Sequence, residues 1–563
     1  MANQIRCAPC RSPTDRVCFR SMSPTSAGAW ATNPPPHLTD PVLASAGGAL
    51  GDIEDTINAV FDPISTAVSN FVFADFNTLF GGAEIPVIGD FPWIVAWLIL
   101  AAAIFTVYFG FVQFRKFGLA IKIVRGKYTR NDEPGEITHF QALTSAVSGT
   151  VGLGNIAGVG VAVTIGGAGA TFWMILAGLL GMCTKFVECT LGVRYREYHD
   201  DGTVSGGPMH YLRKGVAERF PNAFGTALGR VLAVLAAVFL LFFGIAGGNM
   251  FQANQTFAQL QSVTGGESGA LGGDGAALIF GIVLAAIVGA VIFGGIKAIG
   301  RVTSRLVPAM AIVYVAACLT VIGVNIGQVP AAFAAIIDGA FSPEGVLGGA
   351  IGALIVGFQR AAFSNEAGLG SATIAHSAVR TRNPVTEGYV ALLEPFIDTV
   401  VICTMTALTI VIAGTPFWRE AQNAYLTSGG EISTDGVLVT SNAFETVLPW
   451  FPYVLTVAVV LFAVSTMITW GYYGQKAWTY LFGRSPFTER LYQAVFVFFI
   501  VVGSVLTLGS VLSFADAVLF LLALVNIIGL YILAPVVKRE VADFRNKLNS
   551  GEIREYSDSE KVG

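Results

Sequence analysis

The chain has 563 residues, of which 54% are hydrophobic and 12% charged, with a formal net charge of −4 and a mean hydropathy of +0.66. Soluble domains carry about 25% charged residues, so the composition excludes a string of soluble domains and calls for a polytopic membrane protein. The seven cysteines include a Cys7-x-x-Cys10 near the start. No second such motif or His pair accompanies it, which argues against a metal site. Cys183, Cys189, Cys318 and Cys403 lie in apolar runs and read as packing residues.

Residues 1–50 are rich in Pro, Ser, Thr and Ala without an apolar period, so a disordered tail is expected. No signal-peptide core precedes Met22, which is a plausible start of translation. Over residues 51–91, Ile53, Ile57, Val60, Ile64 and Val68 alternate with acidic positions, as in an amphipathic helix on the extracytoplasmic membrane surface. Residues 92–537 form the transmembrane domain and 538–563 a cytoplasmic tail. A spanning helix needs about 20 apolar residues. That test places eleven, near 93–114, 139–163, 170–194, 228–251, 276–296, 305–327, 346–371, 387–413, 449–474, 489–509 and 512–536.

Loop charge alternates through this order. Bases cluster at Arg115–Arg130, at Arg196–Arg230, at Lys297 and Arg301, at Arg380 and Arg382, at Lys476 and Arg484, and at Lys538 and Arg539. The intervening loops hold acids such as Glu267, Asp338, Glu344, Glu431 and Asp435, with Arg419 as the exception. Positive loops stay inside, so the N-terminus is expected outside and the C-terminus in the cytoplasm. The four arginines of residues 1–20 oppose this, and a start at Met22 removes them.

One stretch stands out. Gly149–Gly160 reads GTVGLGNIAGVG, five glycines in twelve residues of an apolar run. Each interior Gly costs a helix about 0.5–1 kcal/mol relative to Ala. A second stretch, Ser364–Ala372, repeats the pattern: VGLGN at Val151–Asn155 matches AGLGS at Ala367–Ser371. Paired Gly-broken segments in the two halves of a polytopic chain mark a transporter binding site, because freed backbone groups at membrane depth are tolerated only where they bind something or line a cavity. Close helix packing through small residues is the alternative reading.

Ionisable residues inside apolar runs are functional candidates. Lys185 and Glu188 sit three apart on one helical face and are expected to pair. Glu366 is expected to fix the second broken segment by accepting backbone N–H groups, and Asp398 and Asp516 to serve near helix ends. The five histidines fall in the tail, loops or helix ends, and no nucleophile motif or phosphate loop is present. Asn249 and Gln252 share a helix face. Ser465, Thr466, Thr469 and Trp470 interrupt another apolar run, and hydroxyls with freed carbonyls suit a desolvated Na⁺, although hydroxyls also bond their own helix.

The segments TSAVSGTVGLGNIAGVGVAVTIGGAGATFWM (Thr144–Met174), GGPMHYL (Gly206–Leu212), GGIKAIGRVTS (Gly294–Ser304), AFSNEAGLGSA (Ala362–Ala372) and STMITWGYYGQKAW (Ser465–Trp478) resemble the bacterial alanine or glycine:cation symporter family. The resemblance spans about residues 90–540. It implies an all-α LeuT-type fold of two inverted five-helix repeats preceded by one extra helix. By that resemblance Leu153 and Gly154 N–H groups hold the substrate carboxylate, with Thr150 and Asn155 beside them. Phe363, Ser364 and Asn365 receive the amino group, and Gln252 and Trp470 line the side-chain end. Carbonyls near Ser148 and Val151 join Ser465 and Thr466 around Na⁺. His210 stands where the family's motif is expected to hold Tyr or Phe.

The reading that follows is a non-enzymatic secondary transporter of the cell membrane. It carries alanine and glycine with Na⁺ as coupling ion by alternating access. It has no other cofactor and no nucleic-acid partner, is embedded in membrane lipid, and is expected as a monomer. Proton coupling or amino-acid exchange is the runner-up. A membrane-embedded enzyme lacks a convergent nucleophile, metal cluster or acid/base pair, and a channel lacks rings of filter residues.

Overall fold

A computed structural model of the protein describes residues 49–79, 91–130, 133–273, 275–292, 295–342, 349–428, 432 and 435–556. The expected tail up to residue 48, together with Gly294, Glu344, Gly429 and Glu431, lies outside the described residues. The main helices are α1 (Ala49–Val72), α2 (Trp93–Tyr108), α3 (His139–Thr150), α4 (Gly154–Ile165), α5 (Ala170–Arg194), α6 (Pro208–Arg219), α7 (Ala223–Val263), α8 (Ala276–Ile292) and α9 (Gly295–Val324). They continue as α10 (Val329–Phe341), α11 (Gly349–Asn365), α12 (Pro384–Ala413), α13 (Pro416–Thr427), α14 (Gly436–Glu445), α15 (Phe451–Phe482), α16 (Pro486–Val505) and α17 (Leu508–Asn549). A two-stranded antiparallel hairpin, β1 (Glu197–Tyr198) with β2 (Val204–Ser205), joins α5 to α6.

Each expected span falls mainly on helix. Among the described residues seven helices are long and apolar enough to cross a membrane, and α3 with α4 makes an eighth, bent by 54°. The rest of the expected set is α2 and α8, of 16 and 17 residues, and α11, which stops at Asn365 where the second break begins. Helices α6, α10, α13 and α14 lie where connecting segments were expected. At 42 residues α17 runs about 63 Å, so it extends well past a hydrocarbon core of about 30 Å into the expected tail.

Side chains start the helices. Thr138 and Gln141 form a capping box at α3, and Asn222, Thr415 and Ser485 cap α7, α13 and α16. The expected amphipathic segment is helical over α1. Asn58, Phe61, Asp62, Ser65 and Val72 dock α1 on α17, through Thr507, Ser510 and Phe514 among others, while Val60 and Ile64 point outward.

The basic loops bond to one another. Arg196 donates to the carbonyls of Pro134, Ser377, Val379 and Thr381, and Lys476 donates to Val204 O and Ser205 Oγ. Arg484 reaches Asp201 at 2.8 Å, and Lys122 and Lys127 reach Glu555. Those two ammonium groups, Lys122 first, hold the Glu555 carboxyl down at about 2. This ties the expected cytoplasmic loops into one face of the molecule.

Candidate functional site

The first break follows Thr150. Val151 adopts ψ 86, leaving the helical ladder, and α4 opens in a π turn over Gly154–Gly158. Two freed amides are taken by side chains: Gly152 N–H donates to Asn155 Oδ1 at 2.9 Å and Leu153 N–H to Gln252 Oε1 at 3.0 Å. Gly152 is required by closeness. A Cβ there lies 2.5 Å from Thr466 Oγ1 and 3.1 Å from Gln252 Oε1, so only glycine lets the break lie against both α15 and α7.

The second break begins at Glu366, at φ 57, and runs through Gly368 and Gly370, both at positive φ, to a short helix at Thr373–His376. Its backbone is held from α5 and α17: Gly370 N–H donates to Glu188 Oε1 at 2.9 Å, and Asn526 Nδ2 donates to Gly368 O and Glu188 Oε1, both at 2.8 Å. Two expectations are corrected here. Glu188, not Glu366, accepts the backbone N–H, and with Glu188 so occupied Lys185 Nζ donates to Glu394 Oε1 at 3.0 Å instead of pairing along its own helix. Glu366 instead accepts the Trp470 indole N–H at 3.1 Å and the Ser371 hydroxyl at 2.5 Å.

Asn155 joins the breaks. Its Nδ2 donates to Ser364 Oγ at 3.0 Å and to Asp398 Oδ1 at 2.7 Å, and Ser364 Oγ donates to Asp398 Oδ2 at 2.8 Å. Asn365 is turned the other way, with Nδ2 on Thr399 Oγ1 and Oδ1 on Ala367 N–H, each at 2.9 Å. Asp398 is therefore not a helix-end residue as expected; it is buried in a π turn of α12, Phe396–Cys403, facing both breaks. Asp516, in α17, pairs with Arg360, whose guanidinium stands 5.4 Å over the Phe363 ring.

Aromatic rings wall the junction. Trp470 and Phe363 both meet Phe243 edge-on, at 4.9 and 5.9 Å, and Phe363 also meets Phe251 at 5.1 Å. Gly248 makes room for the indole, since a Cβ there lies 2.2 Å from Trp470 Cγ. Phe243 and Phe251 carried no sequence signal, because aromatic residues in apolar runs are ordinary. Gln252 is placed on the Leu153 amide rather than at the side-chain end. The Thr150 hydroxyl faces the Ala146 and Val147 carbonyls of its own helix.

Beside the first break lies a set of neutral oxygens from α3 and α15. Thr466 Oγ1 donates to Ser148 O at 3.0 Å, Ser148 Oγ donates to Ser465 O at 3.0 Å, and Thr469 Oγ1 donates to Ser148 Oγ at 3.1 Å. Ser148, Ser465, Thr466 and Thr469 are all buried. Oxygen-only donors of this kind fit a hard cation such as Na⁺. Among the described residues no group of three or more His, Cys, Asp or Glu is placed to hold a metal ion.

Two broken helices facing each other, with an oxygen cluster at one and an aromatic wall between, define the class: a multi-pass secondary transporter. The fold is similar to that of MhsT, solved in complex with L-phenylalanine, with a TM-score of 0.50 at 15% identity, covering 71% of this chain and 89% of that one. This is the LeuT-type fold, with α3 and α4 opening one half and α11 the other. The sequence model of the sodium:alanine symporter family matches residues 76–558. The chain is 37% identical to the sodium/alanine symporter AgcS of Methanococcus maripaludis over 459 residues, 81% of this chain and 95% of that protein. It is 33% identical to the amino-acid carrier protein AlsT of Bacillus subtilis, over 84% of this chain and 94% of that one. A probable sodium/glutamine symporter of Bacillus subtilis, GlnT, is 32% identical over 79% of this chain and 86% of its own length. The chain belongs to the sodium:alanine symporter family.

Proposed function

We propose that the protein carries alanine and glycine into the cell together with Na⁺, by alternating access and without catalysing a reaction. The observation that carries this reading is the junction itself. Freed amides at Gly152–Gly154, the Ser148–Thr466 oxygen cluster and the Asn155–Ser364 contact lie together around one turn of backbone.

The carboxylate takes the Leu153 and Gly154 N–H groups at the start of α4, where the helix dipole favours an anion. Taking the Leu153 N–H displaces Gln252 Oε1, and a turn of that amide brings its Nε2 to the carboxylate as a donor. The amino group lies toward Ser364 and Asn155. Na⁺ draws on the carbonyls of Ser148 and Val151 and the hydroxyls of Ser465 and Thr466, whose present hydrogen bonds it replaces. Selectivity for a small side chain rests on the wall of Phe243, Phe251, Phe363 and Trp470. The relatives' names span alanine and glutamine, so family membership alone does not set the substrate's size.

The basic face is cytoplasmic, which puts the C-terminus inside and the segment before α2 outside. Uptake of radiolabelled alanine into proteoliposomes tests the reading. Accumulation must require an inward Na⁺ gradient, and uptake indifferent to Na⁺ removes the ion site.

A further inference from the structure

Three of the buried carboxylates in the helical core meet a base directly. Glu394 meets Lys185, Glu387 lies between His139 and His376, and Asp516 meets Arg360. Glu188 and Glu366 lie in the field of Lys185. Asp398 stands outside this set. It is fully buried, and among the described residues no Lys, Arg or His pairs with it.

Its partners are all neutral donors: Asn155 Nδ2 at 2.7 Å on Oδ1, and the hydroxyls of Ser364 at 2.8 Å and Thr399 at 2.7 Å on Oδ2. Donors on both oxygens are what an ionised carboxylate needs, yet a buried charge without a counter-charge is costly. Two of those donors, Asn155 and Ser364, come from the two broken helices. The missing positive charge is therefore one that arrives at the breaks.

We infer that Asp398 is the counter-charge and positioning residue for the substrate's ammonium group, an inference that rests on the amino-acid transport reading above. By donating to Asp398 Oδ2 and accepting from Asn155 Nδ2, the Ser364 hydroxyl keeps one lone pair as an acceptor for the ammonium. The ammonium and carboxylate of an α-amino acid are two bonds apart. A carboxylate on the Leu153 amide thus places the ammonium within a turn of Asn155, which already bridges to Ser364 and Asp398. The Na⁺ oxygens are a separate set, on α3 and α15. Until the ammonium enters, the junction holds an uncompensated charge, and this disfavours closure of the empty carrier around it.

The test uses the full chain in proteoliposomes. D398N keeps the shape and removes the charge, whereas D398E keeps the charge and is longer. D398N is expected to raise the KM for alanine by about tenfold or more, the loss of one charge-assisted contact, with the half-saturating Na⁺ concentration at saturating alanine unchanged. D398E recovers part of the alanine affinity. A purely structural Asp398 gives the reverse order, with the isosteric D398N mild and D398E severe, and that order overturns the inference. So does an alanine KM like the wild type's in D398N, or a shift confined to Na⁺. If D398N does not fold, S364A removes the acceptor and leaves the charge; the same rise in KM is expected, and an unchanged KM overturns the inference. A wild-type carrier without Na⁺-dependent alanine uptake refutes the transport reading instead, so the two failures are told apart.

Discussion

Gly152→Ala adds one methyl group at the most crowded point of the first break. The new Cβ lies 2.5 Å from Thr466 Oγ1, about 0.9 Å inside the 3.4 Å at which ordinary contact begins, and 3.1 Å from Gln252 Oε1. Thr466 must give way, and its hydroxyl then loses the 3.0 Å bond to Ser148 O. Overpacking of this kind costs about 1–3 kcal/mol, and where it falls on the ion-bound form it weakens Na⁺ binding by about 5- to 150-fold. The assay is alanine uptake by proteoliposomes titrated with Na⁺. Gly158→Ala is the control in the adjoining π turn, where a Cβ meets nothing nearer than Leu153 O at 4.0 Å, and it is expected to leave the Na⁺ response unchanged. A Gly152→Ala carrier with a wild-type Na⁺ titration refutes the placement of the ion against Thr466.

Trp470→Leu opens the aromatic wall and is expected to let larger neutral amino acids compete against labelled alanine while the Na⁺ requirement survives. Trp478→Leu, on the same helix but packed on Phe482 and Tyr492, should not change selectivity, and unchanged discrimination in Trp470→Leu moves the pocket wall elsewhere. Orientation is tested by cysteine labelling of whole cells with an impermeant reagent. Glu218, exposed on α6, and Thr427, exposed at the end of α13, are the labelling positions. Thr427→Cys is expected to label and Glu218→Cys not to, and the opposite result inverts the topology.

Much of this architecture is legible in the sequence because the bilayer imposes it. Apolar runs of about 20 residues mark helices, and glycine pairs at Gly152/Gly154 and Gly368/Gly370 mark the breaks. The Thr466 hydroxyl stands out against its apolar run and does reach the first break, whereas the Ser465 hydroxyl donates to Phe462 O of its own helix and only its carbonyl meets Ser148. What stayed hidden depends on which helix faces which. Lys185 and Glu188 look like a pair by spacing, yet each is claimed by another element, Glu394 of α12 and the Gly370 amide. Asp398 is visible as an acid in an apolar run, but only the π turn of α12 aims it at Asn155 and Ser364. Gln252 was expected at the side-chain end, and its contact with Leu153 N–H crosses 99 residues of sequence. Helices α13 and α14 are too short and too polar to register as spans, although Gly436 of α14 packs directly on the Ala157 and Gly160 backbone of the broken helix.

The coupling of ion to amino acid is tested most directly by measuring radioactive sodium entry into proteoliposomes when alanine is added. The account predicts that alanine drives Na⁺ entry, that leucine at the same concentration does not, and that Gly152→Ala weakens the response at low Na⁺ more than at saturating Na⁺. Sodium entry that is the same with and without alanine, alongside measurable alanine uptake, contradicts it.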